Sequence, residues 1–326
     1  MLDLRRRDFI ALLGGAAAGW PLAARAQQTA MPVIGFLGTS TASSPPVIGF
    51  HRGLGEAGFV EGRNIAVEYR FSEGRYDQLP VLVAELVGRN VAVLFAAGGV
   101  QAALAAKSAT VPVVFANGSD PLRFGLVSSL NRPGGNITGV SFFTATLEAK
   151  RLGLLSQLVP AAAGFGVIAN PANANAESQR QDVEQGGRVL GRPVEIVHAR
   201  DEREIETAFA TLAQRRTPAL LIASDPFFFS RREQIVALAA RYRLPAIYEW
   251  REFAEAGGLA SYGTNLVDAY RFAGIYVGRI LKGEKPADLP VVQSSKFELV
   301  INLRTARTLG IEVPLGISAG ADEVIE

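Results

Sequence analysis

Two apolar runs in this sequence end in the same three residues. Residues 113–121 read Val-Val-Phe-Ala-Asn-Gly-Ser-Asp-Pro and residues 220–226 read Leu-Leu-Ile-Ala-Ser-Asp-Pro. A serine hydroxyl both donates and accepts a hydrogen bond, whereas an ionised aspartate only accepts. Ser119 and Asp120 facing Ser224 and Asp225 could hold an ammonium group, while N–H groups at helix starts hold a carboxylate. That combination is an amino-acid clamp. The triplet is equally good helix-start chemistry, with Ser or Asp capping and Pro in the first turn. Both readings stay open, and one residue can serve both.

Other short polar groups follow apolar runs elsewhere. Thr39 and Ser40 follow the first, Ala97 and Gly98 the third, and Asn170 and Asn173 open the series in the second half; Tyr248 and Glu249 close a later run. Phe142, Phe227, Phe228, Tyr248 and Trp250 are placed to sandwich an apolar ligand body, with core packing as the competing reading. Hardly any of these residues is of a catalytic type. The two histidines, His51 and His198, have no neighbouring motif, and neither a Gly-x-Ser-x-Gly elbow nor a His-x-x-x-His pair occurs. The glycines of Ala96-Ala97-Gly98-Gly99 do not form a Gly-x-Gly-x-x-Gly fingerprint, so they read as a tight turn or a close approach to a ligand. No catalytic residue, metal or cofactor is assigned.

The elements that must carry these residues alternate regularly. Five β-branched or aromatic runs lie between 32 and 143 and five more between 165 and 263, separated by amphipathic stretches such as 177–190, 202–214, 231–242 and 251–255. Two successive βαβ series predict two parallel, doubly wound sheets with helices on both faces. In such sheets ligands bind beyond the carboxyl ends of the strands, where all the residues above fall. A strong helix over 265–282, a strand at 296–303 and a last short helix complete the pattern. Neither half is complete without one of these pieces, so the chain is expected to cross between lobes three times, near 140, 262 and 290. The expected division is 31–139 plus 263–287 for lobe 1 and 140–262 plus 288–326 for lobe 2.

The N-terminus has its own logic. Residues 1–26 carry a basic start, an apolar run from Phe9 to Trp20 too short to span a bilayer, and Ala24-Arg25-Ala26 as a small-residue cleavage site. Arg6-Arg7-Asp8-Phe9-Ile10 resembles a twin-arginine export signal, which points to cleavage after Ala26 and a periplasmic address. Removing this leader leaves 29 basic and 29 acidic residues, so the apparent basicity belongs mostly to the leader. A near-neutral chain without nucleic-acid motifs is not expected to bind nucleic acid. With no cysteine among 326 residues, disulfides, thiolate metal sites and a lipidated N-terminal cysteine are excluded.

The blocks IGFLGTSTASSPPVIGFHRGLGEAGFVEGRNIAVEYRF from Ile34, VPVVFANGSDPLRFGLVSSLNRPGGNITGVSFF from Val111, LIASDPFFFSRREQIVALAARYRLPAIYEW from Leu221 and FELVINLRTARTLGI from Phe297 resemble ABC-transporter substrate-binding proteins of the type I periplasmic-binding fold. The similarity is to the branch that includes tryptophan and tyrosine binders and covers essentially the whole chain. It implies a non-enzymatic periplasmic receptor, monomeric, that closes on a small solute and delivers it to an inner-membrane ABC permease. The resemblance places ligand contacts at Thr39–Ser40, Ala97–Gly98, Ser119–Asp120, Asn170–Asn173, Ser224–Asp225 and Tyr248–Glu249. A carboxylated solute such as an aromatic or branched amino acid fits the clamp. A periplasmic enzyme, or a sugar or signal-molecule receptor on the same fold, are the alternatives.

Overall fold

The computed structural model describes residues 31–39, 44–294 and 296–326. The expected leader and Ser40 lie outside the described residues. The buried apolar runs form two sheets. The first contains β1 (Val33–Gly38), β2 (Ala66–Phe71), β3 (Val93–Ala96), β4 (Val113–Asn117), β5 (Ile137–Ser141) and β11 (Val292–Gln293), in the order β11-β5-β4-β3-β1-β2. All of its pairings are parallel. The second contains β6 (Phe165–Ala169), β7 (Val194–His198), β8 (Leu220–Ile222), β9 (Ala246–Tyr248), β10 (Ala260–Thr264), β12 (Phe297–Asn302) and β13 (Glu323–Ile325), in the order β13-β12-β10-β9-β8-β6-β7. Only the β10–β12 pairing runs antiparallel. Central strands such as β3, β4 and β6 are buried along their whole length, as sheets covered on both faces require.

Helices α1 (Pro45–Glu56), α2 (Leu79–Gly88), α3 (Gly99–Ala106) and α10 (Leu266–Leu281) pack on the first sheet. The second carries α4 (Glu148–Leu158), α5 (Ala176–Leu190), α6 (Glu202–Gln214), α7 (Pro226–Ser230), α8 (Arg232–Arg241), α9 (Arg251–Glu255), α11 (Leu303–Leu309) and α12 (Leu315–Ala319). No helix among the described residues is long and apolar enough to cross a membrane. The approach of α1 to α10 is set by glycine: a Cβ on Gly53 would stand 1.9 Å from the Arg271 carbonyl oxygen, and one on Gly274 would stand 2.2 Å from that of Phe50. On the helix so placed, Tyr270 donates its hydroxyl to the Ala97 carbonyl at 2.7 Å, just beyond the end of β3.

The chain passes between the sheets three times: between Ser141 and Glu148, between Thr264 and Leu266, and between Gln293 and Phe297. The boundaries expected at 139/140 and 262/263 therefore fall inside β5 and β10. β11 joins the first sheet, although the sequence pattern places residues 288–293 in the second lobe. A two-residue edge strand has no periodicity to read, and β5 and β10 each run a few residues beyond the switch in pattern. Two local features also stand apart. A series of turns follows β4, and α4 forms over a segment that the amphipathic stretches above do not include.

Candidate ligand-binding site

The carboxyl edges of the two sheets face each other. Between them lies a cleft lined from the first sheet by Thr39, Pro46, Ala97, Gly99, Val100, Gln101, Gly118 and Ser119, and from the second by Asn173, Asn175, Ser224, Pro226, Phe229, Glu249 and Trp250. Phe142 and Ala145 from the first crossing and Leu266 and Tyr270 from α10 complete the wall. Of the residues expected to contact ligand, Thr39, Ala97, Ser119, Phe142, Asn173, Ser224 and Glu249 are brought together here.

The others stand behind or beside this wall. Gly98 backs Thr39: a Cβ on it would meet Thr39 Cγ2 at 2.8 Å. Asp120 is partly exposed, and its carboxylate accepts the Leu122 N–H at 2.9 Å within the turn that follows β4. Asn170 is buried behind the wall, where its side chain accepts from the Ala172 N–H at 3.0 Å. Asp225 is also buried just behind it. Tyr248 faces elsewhere: its ring stacks on Phe253 at 4.8 Å and borders a separate cavity with Ala239, Gly258 and Leu309. Of the other aromatics considered, Trp250 lines the cavity, while Phe227 and Phe228 are core. His51 pairs with the Tyr69 hydroxyl at 2.6 Å and His198 is exposed at the end of β7.

The lobes touch directly around the cavity. Tyr76 donates its hydroxyl to Asp225 Oδ1 at 2.8 Å, Asn175 Nδ2 donates to Ser119 Oγ at 2.7 Å, and Gln101 Nε2 donates to Asn173 Oδ1 at 3.2 Å. Steric fit matches the polar fit. A Cβ on Gly99 would meet Pro226 Cγ at 2.8 Å, and one on Gly74 would meet the Phe227 ring at 2.5 Å; both glycines also have positive φ, +76° and +84°. A side chain at either position would hold the lobes apart and strain the backbone.

The two sides of the cavity differ in charge. On the first-sheet side Gly98 caps α3 with no side-chain acceptor, leaving the positive end of that helix toward the cavity. Thr39 and Ser119 add hydroxyls. On the second-sheet side Glu249 is 3% exposed, and its Oε1 has no hydrogen-bond partner among the described residues. Burial pushes its carboxyl up to about 7, against the lowering pull of Arg151. Burial also raises Asp225 to about 6, with Tyr76 and Asn173 donating to it and limiting the rise. Apolar walls come from Phe142, Phe229, Trp250, Tyr270 and Leu266, with Phe229 and Trp250 edge-to-face at 4.8 Å. Such a lining offers separate groups for an anionic end, a cationic end and an apolar body of a guest.

Sequence reasoning missed Tyr76, Gln101, Phe229 and the α4 residues Glu148 and Arg151. Tyr76 and Gln101 sit only a few residues beyond strand ends that the apolar pattern marks. Glu148 and Arg151 carried one usable signal, an i, i+3 acid–base pair beside Leu152 and Leu155 on one helical stripe.

Comparison with known proteins bears on the fold and the family. The family model described as ABC transporter substrate binding protein matches residues 40–325. The chain is 25% identical over 266 residues to a tyrosine-binding protein of Clostridioides difficile strain R20291, covering 81% of this chain and 76% of that one. It is 27% identical to a Streptococcus pneumoniae ABC domain solved in complex with L-Trp, with TM-score 0.80, covering 90% of this chain and 99% of that one. Against the ligand-free, open structure of a substrate-binding protein with adhesive properties from Clostridium difficile, identity is 25% and coverage the same, but the TM-score is 0.62. The lower score is what lobes drawn together would give against an open form. The architecture is the type I periplasmic-binding fold. By the extent of the family match, this chain belongs to the ABC transporter substrate-binding protein family.

Proposed function

We propose that this protein is the periplasmic receptor of an ABC importer and binds an α-amino acid with a large apolar side chain between its lobes. The observation that carries the reading is Glu249, a buried carboxyl group with an unbonded oxygen on the wall of a cavity whose other lining residues are uncharged. Burying an ionised carboxylate without a partner is costly, and a ligand ammonium group offsets that cost. The ligand carboxylate then lies at the start of α3 beside Thr39 and Ser119, and the side chain lies among Phe142, Phe229, Trp250 and Tyr270. The tyrosine-binding relative and the L-Trp-bound neighbour favour an aromatic guest.

Binding and motion are one event in this reading. The three crossings act as the hinge, and the guest stabilises the closed form in proportion to its preference for that form over the open one. Asn170, Asp225 and Gly98 support the contacts from behind. Export with a cleaved leader over residues 1–26, a monomeric state and delivery to an inner-membrane permease complete the proposal. The leader sequence and the family support these parts.

Thermal unfolding against a panel of the twenty amino acids, plus glucose, galactose and xylose, tests the reading. Aromatic amino acids are expected to raise the melting temperature in a saturable, mass-action manner. Protection by a sugar alone would move the assignment to a sugar receptor. A visible absorbance band of a bound flavin or haem would favour an enzyme.

A further inference from the structure

Arg151 on α4 is 0% exposed, and so is its partner Glu148. A buried ion pair is no bargain for stability, because an apolar pair of similar volume serves as well or better. Its bonds point to another use. Nη1 meets Glu148 Oε2 at 2.5 Å, Nη2 donates to the Thr144 carbonyl at 2.6 Å, and Nε donates to the Tyr262 carbonyl at 3.0 Å. Thr144 lies in the first crossing between the sheets. Tyr262 lies in β10, three residues before Asn265 of the second crossing. The crossings also touch one another, as Thr264 Oγ1 reaches the Phe142 carbonyl at 3.4 Å.

The other carboxylate oxygen of Glu148 turns toward the cavity wall. It accepts the Ser224 N–H at 2.8 Å and Gln179 Nε2 at 3.4 Å, and the same Gln179 nitrogen holds the Ser224 carbonyl at 2.6 Å. One guanidinium thus serves two buried acids: Glu148 directly, and Glu249 through its field. When both acids are ionised, two anions and one cation leave the group one positive charge short.

We infer that Arg151 is a positioning residue: through Glu148 it fixes Ser224, which shares the cavity wall with Glu249 where the ligand's cationic group would sit, and it ties that wall to the first crossing and to the strand that leads into the second. The inference rests on the amino-acid reading for its ligand, but not for its geometry. A guest ammonium supplies the missing charge, and the fork carries the resulting shift to Thr144 and Tyr262. Burial first, then Arg151 on α4, the hydroxyls of Ser224 and Thr144, and Glu148 set the charge of Glu249, and its own field in turn raises Tyr270 on α10 and Tyr76 from the opposite lobe. Asp182 on α5 acts one step removed, through Glu148.

The test tracks the Glu249 side-chain carboxyl by carbon NMR from pH 5 to 9 in the ligand-free protein, its signal identified by its loss in Glu249→Gln. Arg151→Met removes the cation, so the titration midpoint moves up. Glu148→Gln removes the competing anion, so the midpoint moves down. Arg151→Lys keeps the charge and holds the midpoint near that of the unsubstituted protein. A purely structural arginine gives no such opposed pair, and equal midpoints in folded variants overturn the inference. If Arg151→Met does not fold, the Glu148→Gln and Arg151→Lys arms decide.

Calorimetry at pH 7 with L-tryptophan and L-tyrosine adds the functional arm. Arg151→Met is expected to bind at least tenfold more weakly than the unsubstituted protein, with part of the loss recovered at pH 9. Unchanged affinity in that variant counts against the inference. If the unsubstituted protein binds neither amino acid, the proposed function fails, while the NMR arm still decides the role of Arg151.

Discussion

The two Ser-Asp-Pro segments are the same tripeptide with different fates. In the second, Asp225 is buried and caps α7 by accepting from the N–H groups of Phe227 and Phe228 at 2.7 and 3.4 Å, while its carboxylate also takes the Tyr76 hydroxyl and Asn173 Nδ2. In the first, Asp120 is partly exposed and closes a single turn. The residues beyond each proline make the difference: Pro226 leads into Phe-Phe-Phe, which α7 buries, whereas Pro121 leads into Leu-Arg-Phe-Gly, where Gly125 at φ +59° takes the chain away in turns. Only the serines keep equivalent places, both on the cavity wall. The acidic charge of the site accordingly belongs to the second lobe, and the first offers hydroxyls and a helix start.

The largest expected effect comes from that asymmetry. Burial raises Glu249 and Glu252 to about 7 and Asp225 to about 6. A carboxyl raised in the folded state binds protons more tightly than in the unfolded chain, so ligand-free stability should rise as the pH falls from 8 to 5, by on the order of 2 kcal/mol for each of the two glutamates. Exposed acids that are lowered, such as Glu204 and Glu284, act only below this window. Urea unfolding at several pH values reads the slope, and a flat or opposite profile would remove the asymmetry. Affinity for an amino acid should run the other way and weaken below about pH 7, because a protonated Glu249 no longer pairs with ammonium.

Substitution separates the two segments next. Asp225→Ala strips a cap and leaves buried donors on Tyr76 and Asn173, with an expected loss of roughly 2–3 kcal/mol in unfolding free energy. Tyr76→Phe keeps the ring and deletes one contact between lobes, so ligand should bind roughly tenfold more weakly, equivalent to about 1.4 kcal/mol, while the protein melts nearly unchanged. Asp120→Ala should shift stability by no more than about 0.5 kcal/mol and leave affinity alone. Equal losses at Asp120 and Asp225 would mean that the tripeptide, not its surroundings, sets the role.

Much of this organisation is legible in the sequence. The runs that form central strands such as β3, β4, β6 and β8 are apolar over nearly their whole length and β2 alternates, so these patterns and their flanking turns locate them. The residues after them therefore point to the right edge of each sheet. What stays hidden depends on direction and distance. Nothing in the sequence says that Tyr248 turns toward Phe253 while its neighbour Glu249 turns into the cavity, or that Tyr76 spans 149 positions to reach Asp225. Helix α4 escapes the pattern because two positions of its buried face, Glu148 and Arg151, are charged. Its buried Arg151 looks from sequence like any surface base, and only the fold removes it from water.

Calorimetric titration of the protein at pH 8 with L-tyrosine and L-tryptophan, beside the corresponding acids that lack the α-amino group, bears most directly on the central claim. If opposite lobes grip the two charged ends of one guest, at least one amino acid binds and its des-amino counterpart binds at least a hundredfold more weakly. Equal affinity for both would show that no cationic end is being held, and would contradict the assignment of Glu249.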